Sequence, residues 1–297
     1  MTKAPSFVLN NGVKIPAVGL GVLGRETPEL VAPAVEKAIK TGYRLIDTAA
    51  SYGNEKQVGQ GIALSGIDRS EIFITTKLWL TQYGSDSARR GFDASLRRLG
   101  LDYVDLYLLH WPAPSNFDAT VQSYQAAEKL LSEGRARAIG VSNFSPGHLQ
   151  RLMERVETVP AVNQIELHPL FNQRAAREAH SQLGILTQAW SPLGGSVRLF
   201  GHPSNASDPL ANPVIAALAK KHGKTAAQII LRWHIEHRTC VIPKSFRAAR
   251  IAENFDIFDF TLSAQEMAEI DALDTGTRSG PDPEVVRATT FPISVEY

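Results

Sequence analysis

Four side chains of differing acidity stand within the first 110 residues in a set that could move a proton: Asp47, Tyr52, Lys77 and His110. A phenol donates a proton, an imidazole donates or accepts one near neutral pH, and an ammonium that a carboxylate holds in place stabilises negative charge. Such a set suits a reaction in which negative charge grows on an oxygen atom and must be met by donors. Lys77 could instead form a Schiff base, as in an aldolase. Singly, each residue also has an ordinary reading. Asp47 before Thr48 could be a helix cap, Tyr52 a half-buried phenol, Lys77 a solvated cation, and His110 a satisfied histidine before Trp111 and Pro112. Their joint meaning depends on whether the fold brings them together.

The surrounding sequence alternates between two kinds of segment. Short β-branched or apolar runs begin near Ala17, Arg44, Ile72, Val104, Ala136, Val162, Ile185 and Thr239. Between them lie helix patterns with readable ends. Thr27 as N-cap with Pro28 at the first position opens a helix that closes at Gly42, and Ser145 with Pro146 opens one running through Leu149, Leu152, Met153 and Val156. Ala88 to Leu99 stops at Gly100, Tyr124 to Leu131 near Gly134, and Ala175 to Leu183 at Gly184. The long seventh interval holds a Gly/Pro/Asn-rich loop from Gly194 to Pro213, then helices over Val214 to His222 and Thr225 to His237. Ser263 to Glu266 forms a capping box for a further helix, and a tail begins at Thr275.

Ahead of all this, Phe7 to Leu9 and Val13 to Ile15 flank Asn10-Asn11-Gly12, which reads as a β-hairpin. The pattern predicts an α/β fold, a (β/α)8 TIM barrel with an N-terminal β-hairpin and extra helices. At 297 residues the length would also allow two domains, but no linker is visible, so residues 1–297 are expected to form a single domain. In such a barrel the C-terminal strand ends converge on one face. The second strand ends in Asp47 with Tyr52 in the next loop, the third in Lys77 and the fourth in His110, so all four would share one pocket.

Composition excludes several partners. Thirty-one Lys and Arg against thirty Asp and Glu leave a net charge of +1, so no global field favours nucleic acid or an acidic membrane. Any anion site must be local. One cysteine, Cys240, cannot make an intramolecular disulfide, and His110, His168 and His180, among eight histidines, lack close i, i+4 pairing with a carboxylate, so no metal is expected. No basic N-terminal region precedes an apolar run, and no stretch of about 18 apolar residues occurs, which points to a cytoplasmic protein.

Two short motifs compete with this reading. Gly19-Leu20-Gly21-Val22-Leu23-Gly24 matches the G-x-G-x-x-G dinucleotide pattern with Asp47 downstream. That motif needs a helix starting within the glycines, whereas the cap signal Thr27-Pro28 comes after them. Tyr52 and Lys56 match the Tyr-x-x-x-Lys pair of short-chain dehydrogenases, but Gly53 and Asn54 mark a helix beginning rather than its interior. Another lysine must serve Tyr52.

Six segments in order resemble the aldo-keto reductase family: Gly42 to Ala49 with Tyr52-Gly53-Asn54-Glu55, Ile74 to Trp79, Leu106 to Pro112, Ile139 to Phe144, Asn163 to Glu166, and Ile242 to Ser245. The resemblance spans residues 7 to about 275. It implies an NADPH-dependent reductase of aldehydes and ketones, dicarbonyls and keto-sugars among them, with Tyr52 as general acid, Lys77 and Asp47 behind it, and His110 orienting the substrate oxygen. A nearby ammonium lowers a phenol's pKa, so Lys77 is expected to make Tyr52 a better acid.

The resemblance also assigns the cofactor. Lys244, Ser245 and Arg250 match residues that hold the 2′-phosphate of NADPH, and Glu253 and Asn254 those near the adenine. Ser142, Asn143 and Gln164 match residues that bind the nicotinamide carboxamide, with Asp47 reaching the adjacent ribose. Trp190 stands where many members have Tyr and would stack on the nicotinamide, which points to the bacterial 2,5-diketo-D-gluconate reductase-like branch. Ser191, Leu193 and the loop to Asn212 would fold over the pyrophosphate. For Lys244 and its neighbours the ordinary alternative is a solvated basic helix start. Trp79 and Trp111 should line the substrate mouth, or pack against its rim, and the tail from Pro281 to Tyr297 should contribute to the pocket. The partner expected is a small carbonyl compound, with no nucleic acid or membrane, and the protein is expected to be a monomer. A non-catalytic NADPH-binding subunit is the alternative from another class.

Overall fold

A computed structural model of the chain describes residues 4–195, 208–291 and 293–297. The hairpin comes first, β1 (Ser6–Val8) antiparallel to β2 (Lys14–Pro16), each strand one residue off its expected bounds. Eight parallel strands follow: β3 (Leu20–Gly21), β4 (Leu45–Asp47), β5 (Phe73–Leu78), β6 (Val104–Leu109), β7 (Ala136–Ser142), β8 (Val162–Glu166), β9 (Leu186–Trp190) and β10 (Cys240–Val241). Each pairs with its neighbour in sequence order. Bridges from Val18 to Val241 and from Gly21 to Lys244 join the first strand to the last, so the sheet curls round on itself as the barrel reading requires.

The strands separate two apolar regions because successive side chains alternate between faces. Leu45, Phe73, Leu106, Leu108, Ala138 and Cys240 fill the interior together with Leu9 and Ile15 of the hairpin segment, which thereby plugs one end. Ile46, Ile74, Tyr107, Leu109 and Ile139 face the other way and pack with helix residues such as Val35, Phe92, Tyr124 and Leu149. In β5 the inward register continues from Phe73 through Thr75 to Lys77, which places an ammonium inside the open end of the barrel.

Several helix limits differ from the sequence reading. Pro28–Leu30 is a 3₁₀ turn whose N-cap, Thr27, makes no side-chain bond, and the α-helix proper is Val31–Thr41. Ser145 does cap Pro146–Met153 with a full capping box, but Val156 lies beyond the helix. The fourth-strand helix runs over Phe117–Ser132, because Phe117 and Val121 extend the buried stripe of Tyr124 by two turns. The middle of the loop expected from Gly194 to Pro213, residues 196–207, lies outside the described residues.

The glycine run is explained by close approach. A Cβ on Gly21 would sit 2.7 Å from the carbonyl oxygen of Ile242, where the first and last strands meet, and one on Gly24 would sit 2.5 Å from the Phe246 ring. Gly21 is therefore tied to closing the barrel, and the G-x-G-x-x-G match is not a dinucleotide loop.

Candidate active site

Asp47 ends β4, Lys77 lies near the end of β5, and both are buried. Lys77 Nζ donates to Asp47 Oδ1 at 2.5 Å and to the Thr48 carbonyl at 2.9 Å. Tyr52 closes the 3₁₀ turn Ala50–Tyr52 in the loop that follows β4, and Lys77 Nζ lies 5.1 Å from the centre of its ring. That loop is braced by Asn54, which accepts from Thr48 Oγ1 at 2.7 Å and donates to the Val22 carbonyl at 2.7 Å. His110 follows β6, and its ring meets that of Tyr52 edge-on at 5.7 Å. The four residues thus cluster where β4, β5 and β6 end.

Electrostatics assign their protonation. Burial works against the Lys77 ammonium, but the Asp47 carboxylate and then the Tyr52 phenol outweigh it and hold its pKa above the usual lysine value. A Schiff-base lysine needs a neutral amine, so this environment disfavours the aldolase reading. Burial, and then the Lys77 charge, push His110 well below the usual histidine value, so its imidazole is neutral at neutral pH. The expected lowering of Tyr52 is corrected here. Burial raises the phenol, Lys77 lowers it and Asp47 raises it again, and the sum lies above the ordinary tyrosine value. Desolvation of a phenolate outweighs one ammonium 5.1 Å from the ring.

Behind Asp47, Gln164, expected only at the carboxamide, is joined by Gln188, which the sequence pattern did not single out. Gln164 of β8 donates from Nε2 to Asp47 Oδ2 at 2.7 Å and to Gln188 Oε1 at 2.7 Å, and Gln188 donates to Cys240 Sγ at 3.2 Å. Gln188 stands two residues before Trp190 in β9 and so shares its face, a parity that could have revealed it. Cys240 is buried, and burial pushes its thiol up to about 12. Ser51, also unforeseen, places its hydroxyl 3.4 Å from His110 Nδ1.

The carboxamide residues hold one another. Asn143 Nδ2 donates to the His110 carbonyl at 3.0 Å and to Ser142 Oγ at 3.1 Å, while its Oδ1 accepts from Trp190 Nε1 at 2.8 Å. Ser142 Oγ donates to the Gln164 carbonyl at 2.8 Å. With both Gln164 N–H groups engaged, its Oε1 and the second lone pair of Asn143 Oδ1 remain to accept from an amide. Trp190 is half-buried.

At the other end, Lys244, Arg247 and Arg250 are exposed, and none forms an ion pair among the described residues. Lys244 Nζ sits 4.2 Å from the centre of the Phe246 ring. Ser245 Oγ accepts from the Arg247 backbone N–H at 3.2 Å ahead of helix Ala248–Phe255. Exposed cations around the first turn of a helix, outside any ion pair among the described residues, fit a phosphate. Glu253 Oε1 accepts from Thr225 Oγ1 at 2.7 Å, and Asn254 is buried. Ser191 and Leu193 follow β9, but most of the loop expected to cover the pyrophosphate falls in residues 196–207, outside the described ones.

Trp79 and Trp111 pack together with Leu80, Ala113 and Val286, and Phe291 of the tail lies against both. Trp79 also meets His110 edge-on at 5.2 Å. The two indoles therefore flank the histidine beneath the tail. Trp79 Nε1 is buried without a hydrogen-bond partner among the described residues. No group of three or more His, Cys, Asp or Glu that could hold a metal occurs among the described residues, and no described helix is long and apolar enough to cross a membrane.

Comparison with known proteins shows the family. The aldo/keto reductase family profile matches residues 17–275. Morphine 6-dehydrogenase of Pseudomonas putida is 55% identical over 292 residues, 97% of this chain and 98% of that protein. Glyoxal reductase of Bacillus subtilis is 46% identical over 276 residues, 93% and 95% of the two chains. Among solved structures, a Bombyx mori aldo-keto reductase in complex with NADP superposes with a TM-score of 0.88 at 37% identity, covering 96% of this chain and all of that one.

Proposed function

The chain belongs to the aldo/keto reductase family and is an oxidoreductase, and on that premise we propose that it reduces small aldehydes and ketones to alcohols with NADPH, using Tyr52 as general acid. The observation that carries this reading is the buried Asp47–Lys77 pair beside a phenol and a neutral imidazole at one pocket mouth. The nicotinamide, when bound, supplies a hydride to the carbonyl carbon. Tyr52 gives its proton to the oxygen as negative charge grows there, and the Lys77 ammonium stabilises the phenolate left behind. A raised phenol pKa keeps that proton on Tyr52 until the oxygen becomes basic enough to take it. His110, neutral, donates an N–H to the same oxygen and fixes its position.

Gln164 Oε1, Asn143 Oδ1 and Ser142 would accept from or orient the carboxamide, with Trp190 stacked on the ring and Asp47 near the ribose. Lys244, Ser245 and Arg250 would hold the 2′-phosphate, Glu253 and Asn254 would flank the adenine, and Ser191 and Leu193 would lie over the pyrophosphate. Dicarbonyls and keto-sugars would suit the mouth, which the indoles of Trp79 and Trp111 flank. Few charges stand there to bind a polyanion. The whole of 1–297 would act as one catalytic barrel, as a monomer, and a single buried cysteine suits the reducing cytoplasm.

NADPH oxidation with methylglyoxal, aromatic aldehydes, diketogluconate and ketosteroids, followed by absorbance, tests the reading. Tyr52→Phe should lower kcat by roughly 10²–10⁴-fold while NADPH still binds. Turnover within about tenfold of the parent would remove Tyr52 from the role. NADPH binding by the parent without turnover of any of these compounds would favour a non-catalytic subunit.

A further inference from the structure

Glu166 ends β8 two residues beyond Gln164, on the same side of the strand, and its carboxylate is buried. A carboxylate so placed requires donors, and it takes them from the far end of the chain. Its Oε1 accepts the backbone N–H of Ser279 at 3.0 Å, and its Oε2 accepts that of Gly280 at 2.9 Å. The guanidinium of Arg278 lies 3.7 Å from Oε2, and His168 Nε2 lies 3.5 Å from Oε1. The tail is thus clamped where it crosses the mouth of the barrel.

Gly280 is wedged at that point. A Cβ there would lie 2.5 Å from Cη2 of Trp190 and 3.0 Å from Glu166 Oε2. Real Cβ atoms do not approach so closely, so the indole and the tail backbone share a space that only glycine leaves open. From Gly280 the tail continues to Val286, fully buried against Trp79 and Trp111, and to Phe291, whose ring lies 5.7 Å from Trp79 and 6.0 Å from Trp111. On its other side the Trp190 indole is bonded to Asn143, which is bonded to the His110 carbonyl.

We propose that Glu166 is a positioning residue, and that its clamp on Ser279 and Gly280 couples the seat of the Trp190 indole to the placement of the tail over the substrate mouth. Residue 280 then sets how closely ring and tail approach, and so how tightly Val286 and Phe291 cover the two tryptophans. A bulkier residue at 280, or a weaker acceptor at 166, lifts the tail from the mouth. The loss falls on substrate binding, because Tyr52, Lys77 and Asp47 are held by other contacts. The inference rests on the proposed cofactor reading only in placing the indole at the nicotinamide.

A double-mutant cycle tests it. Gly280→Ala should raise KM for a dicarbonyl about tenfold with kcat within about threefold, and should speed trypsin cleavage after Arg287, an already exposed residue, by loosening the tail around it. Glu166→Gln, which keeps the shape but turns an amide N–H toward two donors, should act in the same direction. In Trp190→Tyr, whose ring lacks Cη2, adding Gly280→Ala should change KM and the trypsin rate by less than about twofold. Equal effects of Gly280→Ala in both backgrounds overturn the coupling, and unchanged KM and trypsin resistance in Glu166→Gln overturn the clamp. If Glu166→Gln does not fold, the cycle at 280 and 190 still decides. Trypsin resistance is read without turnover, so failure of the NADPH reading is distinguishable from failure of this one.

Discussion

At the proposed catalytic end, Asp47, Lys77, Gln164 and Gln188 are buried and bonded side chain to side chain, whereas at the proposed phosphate end Lys244, Arg247 and Arg250 are exposed and form no ion pair among the described residues. The first region is complete before any ligand arrives. The second offers charge and leaves the geometry to the ligand. Chemistry at an oxygen atom requires donors fixed to a fraction of an ångström, and rigid strands with mutual bonds supply that. Holding a phosphate requires mainly local positive charge, which exposed side chains around the start of a helix provide. On the proposed assignment, the molecule places its order where the reaction would occur and its exposed charge where the cofactor would be gripped.

Substitutions should respect that division. The largest effect is expected from Lys77→Met, which leaves the Asp47 carboxylate buried without its cation and should cost roughly 3–5 kcal/mol of stability, read by denaturant unfolding, besides lowering kcat by at least about a hundredfold. Adding Asp47→Asn should return much of the stability and none of the turnover. A Lys77→Met protein as stable as its parent would break the comparison, since the pair would then contribute nothing. Next, Arg250→Ala should raise KM for NADPH by roughly tenfold or more, leave kcat and the NADH parameters unchanged, and act less at high salt. Equal losses with NADPH and NADH would mean that this end does not read the 2′-phosphate.

The smallest expected effect concerns pH. His110 lies well below the usual histidine value and Tyr52 above the usual tyrosine value. Reduction needs the imidazole neutral and the phenol protonated, so the rate of reduction should stay level from about pH 6.5 to about pH 10. It should fall on the acid side only as His110 gains a proton, and on the alkaline side only as Tyr52 loses one. A midpoint near about 6.5 would show His110 to be more solvated than its surroundings imply.

Legibility in the sequence followed distance along the chain. Asp47, Lys77 and His110 could be read because strand spacing and the convergence of strand ends are local properties that repeat. Tyr52 was readable from its loop, and the helix after it from Gly53 and Asn54. The direction of the Tyr52 shift was not, because it balances one ammonium against the desolvation contributed by every packed neighbour. Gln188 was hidden inside a short strand beside Thr187, although its parity with Trp190 was available. Glu166 stood in a recognised segment, yet its work depends on Ser279 and Gly280, and no periodicity predicts where an irregular tail returns. The glycine run shows the converse: a short pattern copied the form of a phosphate loop, while its cause was the meeting of β3 with the residues after β10.

Cys240, the chain's single cysteine, lies under Gln188 with its thiol pushed up to about 12. A thiol so hard to ionise gives almost no thiolate at neutral pH and stays inert toward maleimides and iodoacetamide. The native chain is therefore a silent background for labelling. A Val285→Cys variant, at a position 62% exposed in the tail, would carry the one reactive thiol of the molecule, and a dye attached there would watch the tail lift and settle in solution without any other site responding.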